Sequence, residues 1–250
     1  MRKFLSLLVL VAIWFLAATY AGVPSLFLPS PASVFNAFVQ WANTGDLWLD
    51  AIASIGRVFA AFGMSFVFAL PTALIMERVT PTRPLLEALV DFFRYVPVPA
   101  LVPLTVLLFG VGETSKIVLL FVGTYFQLVL LFVEAYRRVP RHYRDLFYCL
   151  KFGEPRIWIE MTKCIGPEVL DASRVTIGWC WTYVIIAELV AADHGIGHFI
   201  KEAQRFSNTP SVFAGILVMA AIGFVTDLAF RMAMPITFPY TATIGGVERT

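Results

Sequence analysis

Long apolar runs separated by short polar stretches set the plan of this chain. Residues 4–21, 55–76, 85–109, 115–133, 169–192 and 212–230 each come near or exceed the length a helix needs to cross a hydrocarbon core, roughly 20 residues. The pattern predicts an all-α integral membrane protein of about six transmembrane helices, organised as one domain over residues 1–250. The first run follows Arg2 and Lys3 and ends in small residues, which is also the outline of a signal peptide; its length and the spans behind it favour a membrane helix. Residues 22–50 are a polar excursion. It holds the extended stretch Leu28-Pro29-Ser30-Pro31, and residues 32–41 beyond it predict a short helix lying at the membrane surface. The third run carries Pro97, Pro99 and Pro103, which remove backbone donors and predict a kink or break. Carbonyls freed at such a break are tolerated only where protein or a water-filled cavity covers them, so this run belongs beside a passage or a dimer interface. Gly110 and Gly112 fit the turn into the next run.

Composition agrees with this plan: 59% of residues are hydrophobic and 14% charged. The net charge of +2 gives no footprint for nucleic acid. What charge there is has a location. Seven of the 19 Lys and Arg fall in one polar interruption, residues 134–168, as Arg137, Arg138, Arg141, Arg144, Lys151, Arg156 and Lys163. Basic residues concentrate in cytoplasmic loops, so this segment is expected in the cytoplasm, where its length suits docking of a soluble partner. Six spans then place both termini in the cytoplasm, with only Arg57, Lys116, Lys201 and Arg205 near the outer face.

Chemistry of other kinds is missing from the motifs. Gly110-Val111-Gly112-Glu113-Thr114-Ser115-Lys116 lacks the spacing of a phosphate-binding loop, and neither H-E-x-x-H nor G-x-S-x-G occurs. The three cysteines, Cys149, Cys164 and Cys180, form no metal spacing; two lie in the basic loop, where thiols stay reduced. His142, His194 and His198 read as solvated loop residues. The chain is therefore expected to bind no metal or cofactor and to catalyse nothing itself. Polar groups inside the apolar runs are the remaining candidates. Glu188, near the outer end of the fifth run, is read either as part of a passage or as a structural hydrogen-bonding group. Asp227 and Arg231, four apart, predict an ion pair on one helix face, and Asp171 with Arg174 predict another. Gln127 and Tyr183 sit at mid-membrane depth, where they can bond a small oxyanion in passage or a neighbouring helix.

Several segments, taken in order, resemble the transmembrane permease subunit of ABC importers, in the branch that handles nitrate, bicarbonate, taurine, alkanesulfonates and some vitamin precursors. They are Leu28-Pro29-Ser30-Pro31, then Ser54-Ile55-Gly56-Arg57-Val58, then residues 94–103 with their three prolines, and residues 108–117. Ala187-Glu188-Leu189 with Gly195-Ile196-Gly197 and residues 213–217 complete the series. The family's cytoplasmic motif is E-A-A, three residues, Gly, nine residues, then I-x-L-P. Aligned on Gly153, its E-A-A positions hold Phe147-Tyr148-Cys149 and its last four positions Lys163, Cys164, Ile165 and Gly166, with Pro167 one residue late. The chain thus departs from the motif but keeps its glycine, which is expected to permit a tight turn where a side chain would clash.

The resemblance implies a type I importer permease fold in the bacterial cytoplasmic membrane. Its partners would be a second permease copy, two ATP-binding subunits that carry ATP and Mg, a solute-binding protein and membrane lipid. Carried onto this chain, Arg144, Phe147, Tyr148, Cys149, Gly153, Ile165 and Pro167 form the ATPase-coupling loop, and Pro97, Pro99, Gln127, Tyr183 and Glu188 are translocation-path candidates. The alternatives are an ATP-independent secondary transporter or channel, or a permease-like scaffold. A secondary transporter would more naturally show an inverted repeat and midplane carboxylates, and the sequence shows neither.

Overall fold

The apolar runs are helices, and so is much of the polar sequence between them. A computed structural model describes residues 2–20, 22–79, 81 and 83–240, and among them lie eleven helices and no strand. They are α1 (Arg2–Tyr20), α2 (Pro31–Thr44), α3 (Asp46–Arg78), α4 (Arg83–Arg94), α5 (Val98–Phe109), α6 (Glu113–Arg138), α7 (Arg141–Cys149), α8 (Glu154–Cys164), α9 (Gly166–Ala191), α10 (Ile196–Arg205) and α11 (Thr209–Thr237). By length and composition α3, α6 and α11 can each cross a membrane. The pair α4 and α5 makes a fourth, broken span whose halves meet at 96°. Helices α1 and α9, 19 and 26 residues long, hold the first and fifth apolar runs.

Local chemistry explains where the helices start and stop. At the head of α2 the Ser30 hydroxyl accepts from the Ser33 amide, and Pro31 opens the helix at a position that needs no donor. Gly45, in the left-handed region at φ 84°, ends α2 and lets α3 begin at once. The break after α4 falls where Pro97 and Pro99 cannot donate: Tyr95 and Val96 close the last turn of α4, and Pro97 takes an extended conformation at the head of α5. The polar stretch 193–210 contains the amphipathic helix α10.

The chain divides into two compact units, Met1–Gly56 with Ile185–Ile222 and Arg57–Val184 with Gly223–Thr250. In the first, Val34, Ala37 and Ala214 are buried beneath Trp14, Phe38 and Phe213. The Trp14 indole also donates to the Pro29 carbonyl at 3.0 Å, so α1 is tied to the proline-rich stretch ahead of α2. In the second, Leu119, Leu120, Leu128 and Phe132 of α6 are fully buried, and Phe66 meets Phe132 edge to face. Ser65 and Thr124 bond at 2.6 Å between α3 and α6, a contact worth about 0.6–2 kcal/mol between helices in lipid. Several ion pairs of this unit share partners. Glu77 and Glu87 share Arg83 and Arg137, and Asp227 pairs with Arg231 at 2.6 Å and with Arg174 at 3.5 Å, while Arg174 also holds Asp171 at 2.9 Å. The two helix-face pairs expected from spacing are thus one connected group.

Candidate functional site

The helix break produces a cavity. Where α4 turns into α5 the structure encloses about 400 Å³, walled by Phe93, Tyr95, Pro97 and Pro99 from the break, by Phe126 and Gln127 from α6, and by Trp179 and Tyr183 from α9. Helix periodicity builds two of these walls. Trp179 and Tyr183 are four apart on one face of α9, and Gly123 and Gln127 are four apart on one face of α6. Phe93 stacks on Phe126 at 4.8 Å and fixes α4 against α6. Gly123 allows the closest approach: a Cβ there would lie 2.8 Å from Val98 Cγ2 and 2.9 Å from Tyr183 Cδ2.

The polarity of this cavity is one-sided. The side chains of Gln127 and Tyr183 form no hydrogen bond to any described residue, although both line an otherwise largely apolar space. The charged side chain at the rim is Arg94, which lies 4.6 Å over the Tyr95 ring and pairs with Asp91 at 3.2 Å. Among the described residues no carboxylate lines the cavity. Four of the five path candidates, Pro97, Pro99, Gln127 and Tyr183, therefore share one cavity. Arg94, Phe126 and Trp179 share it too, and sequence alone did not single them out.

Glu188, the fifth candidate, does not line the cavity. It belongs to the other unit and is fully buried. Its carboxyl accepts from Ser54 Oγ at 2.7 Å and from the Gly197 amide at 2.8 Å. The two preceding amides are bonded as well: Gly195 donates to Asp50 Oδ1 at 2.8 Å and Ile196 to Ser54 Oγ at 3.0 Å. Three consecutive N–H groups at the head of α10 thus bond to α3 and α9, where carboxyl oxygens also suit the helix dipole. Gly197 must be a glycine here, because a Cβ would lie 2.7 Å from Glu188 Cβ and 2.9 Å from the Ile185 carbonyl. The structural reading of Glu188 accounts for these contacts.

The basic interruption is a helical hairpin, α7 and α8. Helix α8 packs inward through Ile157, Trp158, Met161 and the capping Ile165, while every residue of α7 is exposed except the half-buried Phe147. Aromatic contacts join the two: Phe147 stacks on Phe152 at 6.0 Å, the Arg144 guanidinium lies 5.2 Å over Trp158, and the Tyr148 hydroxyl donates to Glu154. That bond, with a second from Trp158, holds the Glu154 carboxyl below its usual range. Arg144, Phe147, Tyr148 and Cys149 thus lie on the outward helix. Ile165 is 1% exposed and anchors the hairpin, and Pro167 lies in the first turn of α9.

Gly153 requires a correction. It was expected to relieve a clash in a tight turn, but it takes an ordinary extended conformation at φ −69°, and a Cβ would meet nothing nearer than Pro155 Cδ at 3.9 Å. The left-handed residue of the turn is Lys151, at φ 57°.

The thiols of this region should react unequally. Burial, with Glu160 and Glu168 nearby, pushes the Cys164 thiol up, whereas Cys149 stands exposed on α7. A maleimide at neutral pH is expected to label Cys149 about tenfold faster than Cys164, read by mass spectrometry of the intact chain. Equal rates would mean that α8 does not pack as described. Among the described residues no three His, Cys, Asp or Glu side chains are placed to hold a metal ion.

Comparison with known proteins gives consistent matches. Residues 65–235 match the family described as the binding-protein-dependent transport system inner membrane component. The chain is 30% identical over 232 residues to the taurine transport system permease protein TauC of Escherichia coli strain K12, covering 90% of this chain and 84% of that protein. It is 26% identical over 219 residues to the riboflavin transport system permease protein RibX of Chloroflexus aurantiacus, covering 87% and 81%. Among solved structures, the fold matches an inward-facing form of the MetNI methionine ABC transporter with a TM-score of 0.69 at 15% identity, over 79% of this chain and 97% of that one.

Proposed function

The chain belongs to the binding-protein-dependent transport system inner membrane components, the non-catalytic permease subunits of ABC transporters, and from that premise we propose that it passes a small organic anion of the sulfonate class through the cavity at the α4–α5 break. ATP hydrolysis falls to a partner ATPase, as in the rest of the family. One observation carries the choice of path: a broken span opens onto a space where, among the described residues, the Gln127 and Tyr183 side chains have no bonding partner and no carboxylate stands. A carboxylate there would repel an anion, and unbonded polar groups at membrane depth are costly unless water or a solute meets them. The hydrocarbon part of a short sulfonate fits the aromatic walls, and the likeness to a taurine permease supports the same class. A volume of about 400 Å³ lies toward the small end of ligand sites, which run from about 300 to 1,000 Å³.

Tyr95 and Trp179 stand 75% and 52% exposed at the rim, so the cavity is open on one side. A second copy of the chain, in a homodimer, would close it. The seven Lys and Arg of residues 134–168 support a cytoplasmic placement for the hairpin and, with six spans, for both termini. The exposed helix α7 is the surface offered to the ATPase, and the Phe147-Tyr148-Cys149 departure means that the partner cleft must receive bulkier side chains than the family motif presents.

The tagged chain, purified in mild detergent, is expected to carry a stoichiometric P-loop ATPase. A clean preparation without one would turn the reading toward ATP-independent transport. The corrected geometry of Gly153 sharpens a second test. Because a Cβ at Gly153 touches nothing within the chain at close range, Gly153→Ala should leave insertion and folded yield unchanged while lowering uptake severalfold through its effect on docking. Unchanged uptake would remove Gly153 from the coupling surface.

A further inference from the structure

The cavity narrows at a point where three helices nearly touch. Gly123 of α6 faces Val98, the first residue of α5, and the ring of Tyr183 on α9; without a Cβ at position 123 both neighbours reach the α6 backbone. Val98 is 7% exposed, so it has little room to retreat. On its open side the Tyr183 ring borders the cavity, next to Trp179 at 6.5 Å. The position of that ring is therefore set by the missing side chain at 123 and by the bulk of Val98. Any added atom at 123 has one outlet, which is to push Tyr183 toward the space that a solute would occupy.

We propose that Gly123, Val98 and Tyr183 form a size filter in the permease itself, limiting passage to solutes with a short, narrow organic tail. The inference rests on the cavity being the solute path. It adds a second selection to the one made by the solute-binding protein, and it assigns that selection to a contact between a backbone and a ring. Gly123 acts through Tyr183 and is a positioning residue. Tyr183 and Val98 set the width.

The test needs neither solute nor ATPase, so its outcome is independent of whether an ATPase is found. In the full-length chain with Cys149, Cys164 and Cys180 replaced, Gln127→Cys reports on the cavity through its reaction rate with methanethiosulfonates carrying a methyl or a benzyl group. Gly123→Ala is expected to slow the benzyl reagent about tenfold while changing the methyl reagent less than about threefold, since overpacking costs free space before it closes it. Adding Tyr183→Ala should restore the benzyl rate. Val98→Ala should shift the ratio the other way, admitting the benzyl reagent faster, and it decides the matter alone if Gly123→Ala fails to fold. Equal changes for both reagents, or an unchanged ratio in Val98→Ala, would overturn the filter. A size-graded response with no sulfonate uptake by the assembled transporter would keep the filter and reject the substrate class.

Discussion

Replacing Glu188 by Ala is expected to lower the unfolding temperature of the purified permease by about 10 °C. The reason lies in the bonds left behind. Glu188 is fully buried, and its removal strands the Ser54 hydroxyl and the Gly197 amide, both of which it now accepts from. A buried donor without a partner costs about 1–3 kcal/mol, so two of them, less some local relaxation, come to about 3 kcal/mol. Glu188→Gln keeps an acceptor oxygen for one of the two donors and should fall about halfway. Gly197→Ala should reproduce the loss from the opposite side, because its Cβ would displace the Glu188 side chain. Intrinsic tryptophan fluorescence during heating in detergent reads all three. If Glu188→Ala melts normally yet abolishes uptake, the carboxyl works in the passage and its contacts with α10 are incidental.

This cluster also marks where the sequence stops being readable. Glu188 meets Ser54 across 134 positions, and nothing local to either residue announces the other. What the sequence does show is a glutamate and the Gly195-Ile196-Gly197 triplet a few residues apart, which could have suggested that the triplet frees backbone amides for a carboxyl. Helix α10 is a related case: nothing local in its polar sequence announces its contacts with α3 and α9. The buried Arg57 is the same case. It pairs with Glu113, 56 positions away, and Glu113 in turn holds Lys116, so two cations assigned to the outer surface by count are only 5% and 4% exposed. By contrast, the break at Pro97 and Pro99 was legible, because proline acts on its own backbone whatever surrounds it. Gly153 fell between these cases. The turn was correctly anticipated, but its strained residue is Lys151, and glycine at 153 is not required by the fold.

Tyr183→Phe and Gln127→Leu should each lower uptake of taurine or ethanesulfonate about fivefold, and together about 30-fold, in a transporter assembled with its ATPase and binding protein. Each figure corresponds to about 1 kcal/mol, the usual worth of one neutral hydrogen bond. What makes the pair diagnostic is that neither side chain bonds to a described residue. Removing a hydroxyl or an amide that serves a neighbouring helix weakens the fold. Removing one that waits for a solute costs the fold nothing, and at membrane depth it can stabilise it slightly, since a polar group is withdrawn from an apolar wall. Folded yield and melting temperature should therefore hold steady while uptake falls, and the ATPase should keep its unstimulated rate. A lower melting temperature with unchanged uptake would return both residues to helix packing and leave Arg94, among the described residues, as the cavity's group for an anion.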